Sequence, residues 1–199
     1  KGMTLAEFDI SIRNCQQCRL ASTRTQVVFG VGNPKASLMF IGEAPGFYED
    51  KQGEPFVGAA GKLLTELLEV AGLFRKDVYI ANVIKCRPPD NRNPMPDEIE
   101  TCKPFLMRQI ELINPKVICT LGNFAIRTML GKQVSITKIR GQHFDIQGFH
   151  VVPMLHPAAA LHQGSFRALI QEDFHALKTF LDNLPVPTPK PAEQMGLLG

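Results

Sequence analysis

Four short apolar runs, each stopped by a turn, alternate with stretches of helical periodicity, and this alternation restricts the folds open to the chain. Leu38 to Ile41 ends in Gly42-Glu43-Ala44-Pro45-Gly46 and reads as a buried strand stopping at a turn. Val78 to Ile84 is rich in β-branched residues, Val117 to Leu121 is closed by Gly122, and Val151 to Leu155 ends at His156-Pro157. Between these runs the spacing predicts a helix over Lys62 to Ala71 and another over Pro96 to Ile113, with Pro96 near its first turn and Pro104 an irregularity inside. Thr4 and Glu7 form a capping box before Phe8 and Ile12, so Thr4 to Asn14 is predicted helical. A closing amphipathic helix carries Phe166, Leu169, Ile170, Phe174, Leu177 and Leu181. Strands alternating with helices imply an α/β fold whose sheet is mostly parallel and covered on both faces. Ligands of such sheets bind beyond the carboxyl ends of the strands, which puts Glu43, Asn82 and His156 on one rim.

Four of the five cysteines form a ligand pattern: Cys15-x-x-Cys18, then Cys86 and Cys102 around a Pro-rich loop. A C-x-x-C pair sets two thiolates on one turn, and two distant cysteines close a four-sulfur shell that pins the N-terminus to the middle of the chain. Four thiolates suit zinc as well as iron–sulfur. A disulfide framework is the weaker reading, because the chain is large enough for a core and begins with no apolar secretory segment. Cys119 lies inside an apolar run and reads as a core residue.

With 199 residues, 44% of them apolar and 13 of them Phe, the chain fits one domain, expected over residues 1–183. Residues 184–199 lack an apolar period and read as a Pro-rich flexible tail. No run approaches the ~18 apolar residues of a membrane span, so the expected compartment is the cytoplasm, with no membrane partner. A net charge of +3 neither demands nor excludes nucleic acid.

Gly42-Glu43-Ala44-Pro45-Gly46, Gly53-Glu54-Pro55-Phe56-Val57-Gly58, Asn82 within Tyr79-Ile80-Ala81-Asn82-Val83, and Leu155-His156-Pro157-Ala158 together resemble the family 4 uracil-DNA glycosylases, over roughly residues 10 to 182. The cysteine spacing matches that family as well. The resemblance implies a three-layer α/β/α fold with a mostly parallel central four-stranded sheet, a [4Fe–4S] cluster on Cys15, Cys18, Cys86 and Cys102, and excision of uracil from DNA, single- or double-stranded, by a monomer.

By the same resemblance Asn82 reads uracil, its carbonyl accepting from N3–H and its NH₂ donating to O4; cytosine presents the reverse pattern. The plainer reading is an Asn that ends a strand. Phe56 stacks on the flipped ring, against the alternative of an ordinary core Phe. Glu49 is the family-based candidate for excluding the thymine methyl, or else an exposed loop acid. His156 donates to uracil O2 as negative charge gathers there, and Ala44 offers only its backbone N–H to the same atom. Glu43 is the carboxylate available to handle the attacking water; bracing its loop by accepting backbone hydrogens is an equal alternative. Leu161 or His162 is expected to wedge into the base stack, and Lys85, Arg87, Arg92 and Arg167 to meet phosphates. Two rivals remain: a non-catalytic DNA-binding module stapled by zinc or a cluster, and a relative that binds uracil-DNA covalently. The covalent branch carries Gln in place of Ala44 and an Arg-rich insert, and this sequence has neither.

Overall fold

Every residue of the strand formed by Leu38–Gly42 (β2) is buried, so alternate side chains must fill two separate cores. The computed structural model describes residues 2–131 and 134–185. In chain order it comprises α1 (Leu5–Ile12), β1 (Val31–Gly32), β2, α2 (Phe47–Gln52), α3 (Ala59–Val70), β3 (Tyr79–Asn82), α4 (Pro96–Ile113), β4 (Val117–Leu121), α5 (Asn123–Leu130), α6 (Ile136–Ile139), β5 (Phe144–Ile146), β6 (Phe149–Met154), α7 (Ala158–His162) and α8 (Phe166–Asp182). Phe40, Ile80, Cys119 and Val152 face one core with Leu64 and Leu68 of α3 and Phe174 of α8. Met39, Ile41, Ala81 and Ile118 face the other with Phe8 of α1 and Leu106 and Ile110 of α4. The stacking of Phe40 on Phe174, 6.0 Å between centroids, locks the last helix to the central strand.

The capping box at Thr4 starts α1, and Pro96 starts α4, which continues unbroken through Pro104 to a left-handed cap at Asn114. The strand order is β1-β3-β2-β4-β6-β5. β3, β2, β4 and β6 are mutually parallel, and the register that sets Gly42 beside Asn82 and Leu121 beside Met154 brings their carboxyl ends to one side.

The sheet corrects the expectation of four mostly parallel strands: among the described residues it has six, and it is mixed. β1 and β5 add antiparallel edges to β3 and β6. Both are too short, at two and three residues, to display an alternating pattern. The β5–β6 hairpin turns through Gln147 and Gly148, whose φ values of 50° and 90° give the doubly left-handed turn that suits tight hairpins. From residue 186 onward the expected tail lies outside the described residues. Among the described residues no helix is long and apolar enough to cross a membrane.

Candidate active site

Gly42 ends β2 where a side chain has no room: a Cβ there would stand 2.6 Å from Asn82 Oδ1 and 2.7 Å from Phe56 Cζ. Glycine therefore lets the amide and the ring meet at the strand's end. The next turn is held by Glu49, whose Oε1 accepts from the Gly46 N–H at 3.0 Å while Oε2 accepts from Gly58 and Val57 at 2.8 and 3.1 Å. One carboxylate thus ties the loop after β2 to the loop after α2 through charge-assisted bonds.

Phe56 occupies the left-handed region at φ 54°, an unfavourable backbone for an aromatic residue unless its surroundings fix it. Arg75 supplies the fixing: Nη2 donates to the carbonyls of Pro55 and Phe56 at 2.6 and 2.7 Å, and Nη1 to Thr65 Oγ1 at 3.2 Å. Burial lowers the Arg75 pKa, opposed by the charges of Glu54 and Glu49. No local signal in the sequence marks this arginine, since its partners are carbonyls about twenty residues back. Arg75→Ala is expected to cost about 2–3 kcal/mol, lowering the melting temperature by roughly 4–10 °C, with Arg75→Lys unable to restore the forked contact. Calorimetry on both variants checks this, and an unchanged melting temperature for Arg75→Ala would show that the loop stands without it.

A pocket of about 250 Å³ opens at the carboxyl ends of the parallel strands, lined by Ala44, Glu49, Phe56, Asn82, His156 and Leu161. Phe47, Tyr48 and Asn91, which the sequence did not single out, share its wall. Asn82 is 2% exposed, and among the described residues its side-chain amide bonds to no protein atom. His156 Nδ1 accepts from the Ala158 N–H at 3.0 Å, so the neutral imidazole carries its proton on Nε2. Burial pushes the pKa of His156 down to about 4, keeping that neutral form at physiological pH. The ring stacks against Phe56 at 5.4 Å. Behind it the Leu155 N–H points at Asp173 Oδ2, 3.4 Å away, and Asp173 is held by Arg140 Nη2 at 2.9 Å.

Glu43 stands next to this wall rather than in it, and burial raises its pKa. Among the described residues no backbone N–H donates to its carboxylate; bracing of the loops falls to Glu49 instead.

The expected phosphate contacts are dispersed. Lys85 is 1% exposed and its Nζ donates to the main-chain carbonyl of Asn82 at 2.8 Å, so the placement of Lys85 on the DNA face is corrected: its ammonium points inward. Arg92 is engaged bidentately by Glu98 at 2.8 and 2.9 Å, and Arg167 by Glu66 at 3.0 Å. Arg87 Nε donates to Asn91 Oδ1 at 2.7 Å and its guanidinium lies over the Phe47 ring at the pocket mouth. Leu161 is 49% exposed on the rim, and His162 ends the same short helix.

Cys15, Cys18, Cys86 and Cys102 border one cavity of about 20 Å³ together with Lys85 and Arg24. The expectation of a [4Fe–4S] cluster is nevertheless corrected, because among the described residues no group of three or more His, Cys, Asp or Glu side chains is arranged to hold a metal ion. All four are free thiols. Burial pushes the Cys86 thiol up to about 11 and raises Cys102. The space they enclose is that of roughly one water molecule. These residues do not fit the cluster.

Residues 29–178 match the family model described as the uracil DNA glycosylase superfamily. Within that class the chain is 48% identical over 184 residues to a type-4 uracil-DNA glycosylase of Saccharolobus solfataricus, covering 88% of this chain and 85% of the relative. It is 49% identical over 174 residues to a type-4 uracil-DNA glycosylase of Thermotoga maritima, covering 85% and 91%. A type-5 uracil-DNA glycosylase of Thermus thermophilus is 31% identical over 138 residues, 60% of this chain and 63% of the relative. The chain belongs to the uracil-DNA glycosylase superfamily, and within it to the type-4 family.

Proposed function

We infer that this chain is a glycosylase that flips uracil out of DNA and hydrolyses its N-glycosidic bond, releasing free uracil and leaving an abasic site for base-excision repair. The observation that carries this reading is the convergence, in one small pocket, of an unbonded amide, an aromatic ring and a neutral imidazole with its Nε2 proton free to donate. At about 250 Å³ the pocket lies at the small end of ligand sites, which suits a single pyrimidine ring.

Asn82 reads the base edge; an amide 2% exposed and unbonded has a strong incentive to take N3–H and O4 as partners. Phe56 stacks on the extruded ring, held in place by Arg75. Glu49, a pocket residue whose three backbone bonds give it little freedom to yield, excludes the C5 methyl of thymine. As water adds to C1′, the C1′–N1 bond breaks and its electron pair leaves on uracil. His156 Nε2–H meets the charge that develops on O2, with the Ala44 N–H beside it. Glu43, made a better base by the burial that raises its pKa, takes the water's proton. Leu161 or His162 fills the space left in the stack, and Arg87, whose guanidinium lies over Phe47 at the mouth, meets the flanking phosphate, together with Arg92 and Arg167.

Uracil-containing oligonucleotides, single-stranded and duplex, incubated with the protein and then with alkali, are expected to yield free uracil and strand breaks at the uracil position only. Intact strands from both, with no uracil released, would defeat the reading and favour a binding module.

A further inference from the structure

Tyr48 is 60% exposed and its neighbour Phe47 46%, although both line the wall of the pocket. Aromatic surface left in water at the mouth of a site is costly unless something covers it. The pair is not loose. Phe47 meets Tyr48 edge-on, with centroids 5.3 Å apart at 90°. The Phe47 ring is itself clasped by cations, with the Arg87 guanidinium 5.3 Å and the Lys51 ammonium 5.5 Å from its centroid. Arg87 is steadied in turn by Asn91. Tyr48 therefore stands on a buttress that fixes its ring at the rim, 3.7 Å from where a Cβ on Gly58 would lie.

We propose that Tyr48 is a stacking platform for the nucleobase next to the extruded uracil, and that this surface makes the chain favour single-stranded DNA. The inference rests on the proposed action on uracil in DNA and adds its preferred substrate form. In a duplex the neighbouring base is already stacked and paired, so an aromatic face beside the pocket gains little from it. In a single strand that base is free, and every base offers a π-face, so the platform works without reading sequence. Lys51 and Arg87 supply the positive charge that the phosphates on either side of such a base require.

The test compares the wild-type protein, Tyr48→Ala and Tyr48→Phe on a uracil oligonucleotide presented alone and annealed to its complement. The half-saturating concentration for uracil release is read, with thermal melting to confirm folding. Tyr48→Ala is expected to raise that concentration roughly 5- to 100-fold on the single strand, with a much smaller change on the duplex. Tyr48→Phe keeps the ring and should behave as wild type. A single strand whose neighbouring nucleotides lack bases should bring the wild-type protein to the level of Tyr48→Ala. Equal losses on both substrates, no loss on either, or a Tyr48→Phe variant as weak as Tyr48→Ala would overturn the proposal. Failure of the wild-type protein to release uracil from either substrate would instead sink the proposed function, and this inference with it.

Discussion

His156→Ala is expected to slow single-turnover uracil release by about 10²–10³-fold while leaving affinity for uracil-DNA close to wild type, because the lost donor acts mainly as charge develops on O2. The expectation rests on a fixed tautomer: the Ala158 N–H occupies Nδ1, so the ring can offer only Nε2–H to a ligand. With a pKa near 4 the ring stays neutral across the working range, and its titration should leave the rate flat between pH 7 and pH 5. An acidic limb in the rate would belong to another group, and Glu43, whose pKa burial raises, is the candidate. Stability follows the opposite bookkeeping. The folded pKa lies below the unfolded value of about 6.5, so the unfolded chain takes up the proton first. The associated stability is present above pH 6.5 and is lost as pH falls toward 4; His156→Ala removes that dependence. Single-turnover kinetics and melting on one preparation separate the roles. A sharp fall in melting temperature with an undiminished rate per folded molecule would make His156 a packing residue.

Asn82→Asp should cost at least as much, about 10³-fold or more in uracil release, since a site built to bond a base edge rejects a mismatched partner strongly. The carboxylate would present acceptors to both N3–H and O4, so one bond survives and the other becomes repulsion. Once the pyrimidine fills the pocket that Asn82 lines, little room is left for water to take over the missing contact. The Lys85 ammonium, bonded to the main-chain carbonyl of the same residue, favours an ionised carboxylate there and works against rescue by protonation. Asn82→Asp releasing uracil at near wild-type rate would remove Asn82 from base reading.

The four parallel strands were legible because each is a compact apolar run ended by a turn, and burial on both faces demands such runs. Their limits are less so: Val78 to Ile84 reads as one apolar run, but pairing with β2 lasts only from Tyr79 to Asn82. The edge strands escaped because two or three residues show no period, although Gly148 after Gln147 was a turn signal available to be read. α2 escaped for a similar reason, being six residues long and mostly polar. At the site, residues adjoining Gly42, Pro55 and Pro157 could be singled out because turns announce themselves. Lys85 misled because the sequence records a charge but not the direction it points. Arg75 and Asp173 gave no sign, since each acts on backbone groups far away in the chain. The cysteines carried a ligand spacing whose side chains the fold does not arrange around a metal.

Asp173 accepts from the Leu155 N–H, one residue before His156, and this bears on how the protein comes into being. The pocket draws its wall from Ala44 to Leu161, and the carboxylate behind Leu155 belongs to the final helix. A chain emerging from the ribosome can pair β2 with β3 and begin to close the Glu49 tie early. It cannot complete the site until β6 has docked on β4 and α8 has been released to cover it. Synthesis therefore delivers the base-reading half of the pocket first and the half that accepts the leaving group's charge last, so a truncated or stalled chain would hold the former without the latter.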